Sequence, residues 1–207
     1  MAPNNFILLI LAIKNDLLSK ALEKHSVFTF LSVAFVNAII PKLKELKLQE
    51  DAPPHDCALR VRPHERLFKP CPLPLLKDFK EKINAECRVL YKPEAKNFPL
   101  VDALFFMESP RKTLVGLRMA TAGGHHTTSS TVRQFTECLA AYFNGWEEFA
   151  RDMSWEIIYV QHANSTPIID WQKCNDSANL TEAENREIAA FWEEKVQQYQ
   201  VTITVEM

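Results

Sequence analysis

The apolar positions of this chain change period several times, and each change marks an element. Residues 6–13 form a continuous apolar run of eight, read as a buried strand or helix turn because a bilayer span needs about 20 residues. From 16 to 48 the period is helical: Leu17, Leu18, Ala21 and Leu22 make one stripe, residues 27–40 are almost wholly apolar, and Pro41 should end or kink the helix. Such an apolar surround needs a partner, another element or another copy of the chain. Residues 50–74 carry Pro53, Pro54, Pro63, Pro70, Pro72 and Pro74, the pattern of an extended linker.

Beyond the linker, Leu75, Leu76, Phe79 and Ile83 repeat at helical spacing, and residues 86–92 then alternate like a strand. Residues 98–107 and 112–121 read as two more strands, and the short turn at 108–111 makes them an antiparallel hairpin. Thr131 with Gln134 predicts a capping box for a helix whose stripe is Val132, Phe135, Leu139, Tyr142, Phe143, Trp146 and Phe149. A strand over 155–160, a helix capped by Thr181 and Glu184 running to 198, and a strand over 201–205 complete the pattern. The expected architecture is α/β with a mixed sheet in the order α-β-β-β-α-β, then α-β. Its expected parts are an N-terminal helical segment (1–49), the Pro-rich linker (50–74) and an α/β domain (75–207).

Composition narrows the chemistry. The 207 residues are 47% hydrophobic, enough for a substantial core. Five cysteines (Cys57, Cys71, Cys87, Cys138, Cys174) are an odd number with no Cys-x-x-Cys pair, which points to reduced thiols inside a cell rather than a disulfide framework or a zinc site. The net charge of −2 conceals an asymmetry: residues 42–133 carry 17 Lys/Arg against 11 Asp/Glu, whereas residues 134–207 carry 4 against 13. A basic middle fits a phosphate-bearing partner or an ordinary solvated surface. Four glycines, at 116, 123, 124 and 145, exclude a phosphate-binding loop and a dinucleotide fingerprint, and no Gly-x-Ser-x-Gly elbow appears.

The residue that stands out is Asp102, a carboxylate in the apolar run Val101-Asp102-Ala103, where burial without a partner costs several kcal/mol. One partner would be a divalent metal, Mg²⁺ above all, with Glu86 as a further ligand. The α-β-β-β-α-β order is similar to the restriction-endonuclease-like core, which places an acid on its second strand and an acid-x-lysine on its third so that a metal activates water against a phosphodiester. The simpler account is that Asp102 caps a turn or pairs with Arg118 or Lys96. His125 and His126, after the third strand, are placed as general base, phosphate contact or solvated loop residues. The four tryptophans lie on or beside periodic stripes and read as core.

Several stretches, Asn97-Phe-Pro-Leu-Val-Asp-Ala-Leu-Phe-Phe, His125-His-Thr-Thr, Val132-Arg-Gln-Phe-Thr-Glu-Cys-Leu-Ala-Ala-Tyr-Phe-Asn-Gly-Trp-Glu-Glu and Met153-Ser-Trp-Glu-Ile-Ile-Tyr-Val-Gln-His among them, resemble the C-terminal region of the trypanosomatid retrotransposon hot spot proteins. The likeness runs from about residue 21 to 200. It implies a multigene family with nuclear, perinuclear or cytoplasmic members, similar to Crinkler-type proteins, in which a P-loop ATPase module precedes a sometimes endonuclease-like C-terminal region. It also implies nucleic acid, or chromatin- and RNA-associated proteins, as partners. The present chain carries no such module and reads Arg118-Met119-Ala120 where the family pattern is Gln-x-Thr, so a truncated copy without catalysis is expected. The catalytic set Asp102, Arg118, His125 and His126 is therefore degenerate on this reading. No membrane contact is expected, and self-association through residues 27–40 is.

Overall fold

The computed structural model describes residues 26–51, 53–61, 69–108, 111–120, 124 and 126–203. Residues 6–13, the stripe Leu17, Leu18, Ala21 and Leu22, and His125 lie outside them. Strands β1 (Lys44–Leu46), β2 (Lys69–Leu73), β3 (Val89–Pro93), β4 (Ala103–Met107), β5 (Thr113–Ala120), β7 (Ser154–His162) and β9 (Val196–Ile203) form one mixed sheet in the order β1-β9-β7-β5-β4-β3-β2. Strands β6 (Thr127–Thr128) and β8 (Cys174–Asn175) pair separately. The expected hairpin is present, with Met107 opposite Thr113 and Ala103 opposite Leu117. Within the block β3-β4-β5-β7-β9, only β4 runs against the others: β5, β7 and β9 are mutually parallel, while β4 is antiparallel to both β3 and β5.

Alternation along the strands splits the core in two. One face of the sheet presents Tyr91, Leu104, Phe106, Leu114, Trp155 and Ile157 to α3 (Ser129–Tyr142), α4 (Trp146–Arg151) and α5 (Glu182–Lys195). The other presents Leu90, Phe105, Val115, Leu117, Ile158 and Val201 to a 3₁₀ segment Ser26–Leu31, α1 (Val33–Ile39) and α2 (Ala58–Val61). Side chains of period two on the strands thus meet helices on both sides, the three-layer solution for a sheet with two apolar faces. Among the described residues, no helix is long and apolar enough to cross a membrane.

The helix caps differ in an instructive way. Thr181 and Glu184 form the expected capping box, the Thr181 N–H donating to Glu184 Oε2 at 2.8 Å and the Glu184 N–H to Thr181 Oγ1 at 3.3 Å. Helix α3, in contrast, is capped three residues before the expected position: Thr128 is the N-cap, its Oγ1 accepting from the Thr131 N–H at 3.3 Å, because β6 holds Thr128 extended. The apolar stripe continues to Phe149, yet the helix stops at Tyr142, and Gly145 at φ +60° turns the chain into α4.

Three further expectations are corrected. The stretch 50–74 is not simply an extended linker, since Cys57, Ala58 and Leu59 are buried in the second core cluster and β2 joins the sheet parallel to β3. Prolines are tolerated in β2 because it is an edge strand. Leu75–Ile83 form no α-helix: a single 3₁₀ turn, Leu76–Asp78, is followed by extended chain that bridges Ile83 to Phe143. Over residues 26–48 the helical pattern breaks into short pieces, with α1 ending at Ile39 ahead of Pro41 and β1 following. Val27, Phe30 and Ile39 are buried against the chain's own sheet, so the apolar run over 27–40 finds its partner within the molecule.

Candidate functional site

Asp102 precedes β4 by one residue, and the hairpin register brings it beside Arg118 on β5. Two features position it. Pro99, Leu100 and Val101 form a three-residue turn in which the Val101 N–H donates to the Pro99 carbonyl at 2.8 Å, with Leu100 held at φ +68°, a sparsely populated region for a leucine. Val101 then packs on Gly116, where a Cβ would come within 2.6 Å of Val101 Cγ1. Glycine is required at 116 for the strand entry to lie this close to β5.

The carboxylate has a structural partner. Its Oδ2 accepts from the Met119 N–H at 2.7 Å, and the Asp102 N–H donates to the Leu117 carbonyl at 2.8 Å, which extends the β4–β5 ladder by a side chain. No ion pair joins Asp102 to Arg118. Both line an open cleft of about 1280 Å³ with Lys92, Lys96 and Glu94, and its walls include Phe28, Phe98 and prolines 70, 72, 93 and 99. Thr131 and Gln134, in the first turns of α3, complete the wall. Lys92 Nζ reaches the Asp102 carbonyl at 3.5 Å.

The other expected site residues lie elsewhere. Glu86 is exposed and pairs with Lys69 at 3.1 Å at the start of β2, and it does not line the Asp102 cleft. The structure does not bring Asp102 and Glu86 together as ligands, and among the described residues no group of three or more His, Cys, Asp or Glu is arranged to hold a metal ion. His126 is exposed, and its Nδ1 accepts from the Lys173 N–H at 3.2 Å, pinning the β6 entry to the segment before β8. It is not in the cleft.

No known protein family, curated protein or solved structure matches this chain.

One chemically loaded residue escapes a reading centred on Asp102. Glu156 lies mid-strand in β7, buried on the face of the sheet that α1 and α2 cover. Its Oε2 accepts from Cys57 Sγ at 3.1 Å, and both its oxygens accept from the Ala58 N–H at 3.0 and 3.1 Å. Burial pushes its carboxyl up to about 7, against the opposing pull of the Cys57 and Ala58 hydrogen bonds and of Arg111. The same burial, with the neighbouring Glu156, holds the Cys57 thiol well above its ordinary value, so Cys57 is an inert thiol. The signal was available: Trp155-Glu-Ile-Ile-Tyr-Val places a lone acid in an apolar strand just as Val101-Asp102-Ala103 does.

A buried amide network closes the far side of the sheet. Gln161 Oε1 accepts from the Ile168 N–H at 2.7 Å and its Nε2 donates to the Thr166 carbonyl at 2.8 Å. Gln198 Oε1 accepts from the Gln172 N–H at 2.9 Å, and the Trp192 indole donates to the Gln172 carbonyl at 2.8 Å. These bonds tie the 163–173 loop to β7, β9 and α5, a structural use of buried amides.

Proposed function

We propose that this chain is a non-catalytic, nucleic-acid-associated domain on an endonuclease-like core, related to the C-terminal region of retrotransposon hot spot proteins. The observation that carries the reading is the state of Asp102: its carboxylate is bound to the Met119 N–H, and the cation Arg118 lines the same cleft. A metal-dependent nuclease needs two or more oxygen ligands and a group that steadies developing negative charge. Here the third-strand positions read Arg118-Met119-Ala120, a donor without acceptors followed by a methyl group. Support for the endonuclease-like core comes from the strand block β3-β4-β5-β7-β9 with β4 alone reversed, and from the acid that opens β4.

The cleft that remains suits phosphate. Lys92, Lys96 and Arg118 face it with Glu94 and Asp102, and Asp102 is already engaged by a backbone donor. Phe28, exposed at the rim, offers a stacking platform of the kind single strands use. The ligand class is a single strand of RNA or DNA, and the resemblance is the support for a nuclear, perinuclear or cytoplasmic setting.

The test is fluorescence anisotropy with single-stranded and duplex oligonucleotides between 50 and 200 mM salt, alongside a cleavage assay with Mg²⁺ or Mn²⁺. Salt-dependent binding of single strands is expected, with Lys92→Ala, Lys96→Ala and Arg118→Ala each lowering the salt slope by about 1. Cleavage is expected with neither metal. Turnover that Asp102→Asn abolishes in a folded protein would install the nuclease instead, and salt-independent or absent binding would remove the cleft from consideration.

A further inference from the structure

Glu156 sits under the segment that leads into α2, and its contacts make it the polar tie between that segment and the middle of the sheet. The segment offers it the Cys57 thiol and the Ala58 N–H. Across the strands, Val115 on β5 and Gln197 on β9 stand in register with it. Tyr199, two residues along β9, donates its hydroxyl to the His55 carbonyl at 3.3 Å and so pins the same segment. The charged groups at the rim are already engaged: Glu45 pairs with His55 at 3.2 Å and Asp56 with Arg60 at 3.6 Å. Arg111 is the one cation whose attraction reaches Glu156 among the described residues, and it forms no ion pair with it.

A carboxylate in this position is penalised by lost hydration with no counter-ion to compensate. Its protonated form keeps the bond from Ala58 and pays little for burial. We propose that Glu156 is a proton-operated latch: protonated, it seats residues 55–61 on the sheet, and its ionisation loosens them. The proton leaves to solvent when the segment lifts, and no other bond changes.

The direction follows from linkage. The seated carboxyl titrates near 7, against 4.5 for a free one, so the opening equilibrium rises with pH between those values and is flat outside them. The latch is therefore closed in acid and loosened at neutral pH.

Hydrogen–deuterium exchange on the full chain at pH 5 and pH 7.5, corrected for intrinsic rates, reads the latch directly. Opening of peptides spanning 55–61 should rise by roughly tenfold or more, with those of α5 unmoved, and Glu156→Gln should abolish the rise. A rise that persists in Glu156→Gln would overturn the proposal, as would a flat wild-type profile. Should that variant fail to fold, infrared titration of the wild type decides: a protonated carboxyl band surviving above pH 6 supports the latch, and complete ionisation by pH 5.5 refutes it.

Discussion

The two faces of the seven-stranded sheet are covered by different kinds of structure. On one face, Phe106 is the hub of an aromatic cluster, with ring centroids 5.3 Å from Phe143, 5.3 Å from Phe149 and 5.8 Å from Tyr91, all edge-on. Two of the three helices above it, α3 and α5, are long, capped and joined by Arg133 to Glu184 at 2.8 Å. On the other face the cover is short 3₁₀ and helical pieces, and its contact with the sheet includes a buried acid and thiol. The first face draws its stability from shape and area, which do not respond to pH. The second places part of its adhesion on a titrating group, so the two faces should separate under conditions that leave contacts unchanged.

The largest expected effect is on the aromatic face. Phe106→Ala should lower stability by about 3–5 kcal/mol, read from the urea midpoint, because its neighbours cannot close over the cavity. If that loss were below about 1 kcal/mol, the hub would not be the keystone of this layer.

Next comes the pH response of the other face. Glu156 titrates above the ordinary carboxylate value, so its stabilising share is complete below about pH 4.5 and is lost as pH climbs to about 7. At 1.4 kcal/mol per pH unit this amounts to about 3 kcal/mol, which Glu156→Gln should remove from the pH profile of urea unfolding. A profile identical in both proteins would erase the distinction between the faces.

A smaller effect belongs to the cleft. Gly116→Ala inserts a Cβ against Val101, and should cost about 1–3 kcal/mol while weakening oligonucleotide binding through displacement of Asp102 and the adjoining loop. Gly124→Ala, with its nearest neighbour Gln172 Oε1 at 4.0 Å, should leave both readouts unchanged. Last, Thr181→Ala removes the capping box of α5 and should lower stability, read from the urea midpoint, by about 1 kcal/mol, a loss that Thr181→Ser restores.

Periodicity made the aromatic face legible. The strands read over 98–107 and 112–121 are present as the shorter Ala103–Met107 and Thr113–Ala120, and the stripe through Phe135, Leu139 and Tyr142 faces the core as its period requires. The errors cluster on segments whose structure depends on distant partners. Leu75, Leu76, Phe79 and Ile83 have helical spacing, yet these side chains serve extended chain, with Phe79 edge-on to Tyr142 at 4.9 Å. Prolines 70 and 72 suggested a linker because nothing local distinguishes a linker from an edge strand supplied with a partner 20 residues onward. Asp102 was found from its apolar surroundings, but its partner is a backbone N–H, which carries no residue-type signal.

The outer strand β2 has a consequence for how the molecule behaves in a crowd. In a parallel pair, residues two apart direct their backbone groups to the same side, and β2 meets β3 in register from Lys69 to Leu73. Pro70 and Pro72 sit on one such side, and β2 holds its ladder with β3, so the side they occupy is the free one. That rim lacks amide hydrogens where an incoming strand would seek them, and Lys69 adds a charge at its start. The sheet therefore ends in a border that another chain cannot zip onto, a built-in safeguard against strand-by-strand polymerisation that Pro70→Thr with Pro72→Thr would remove.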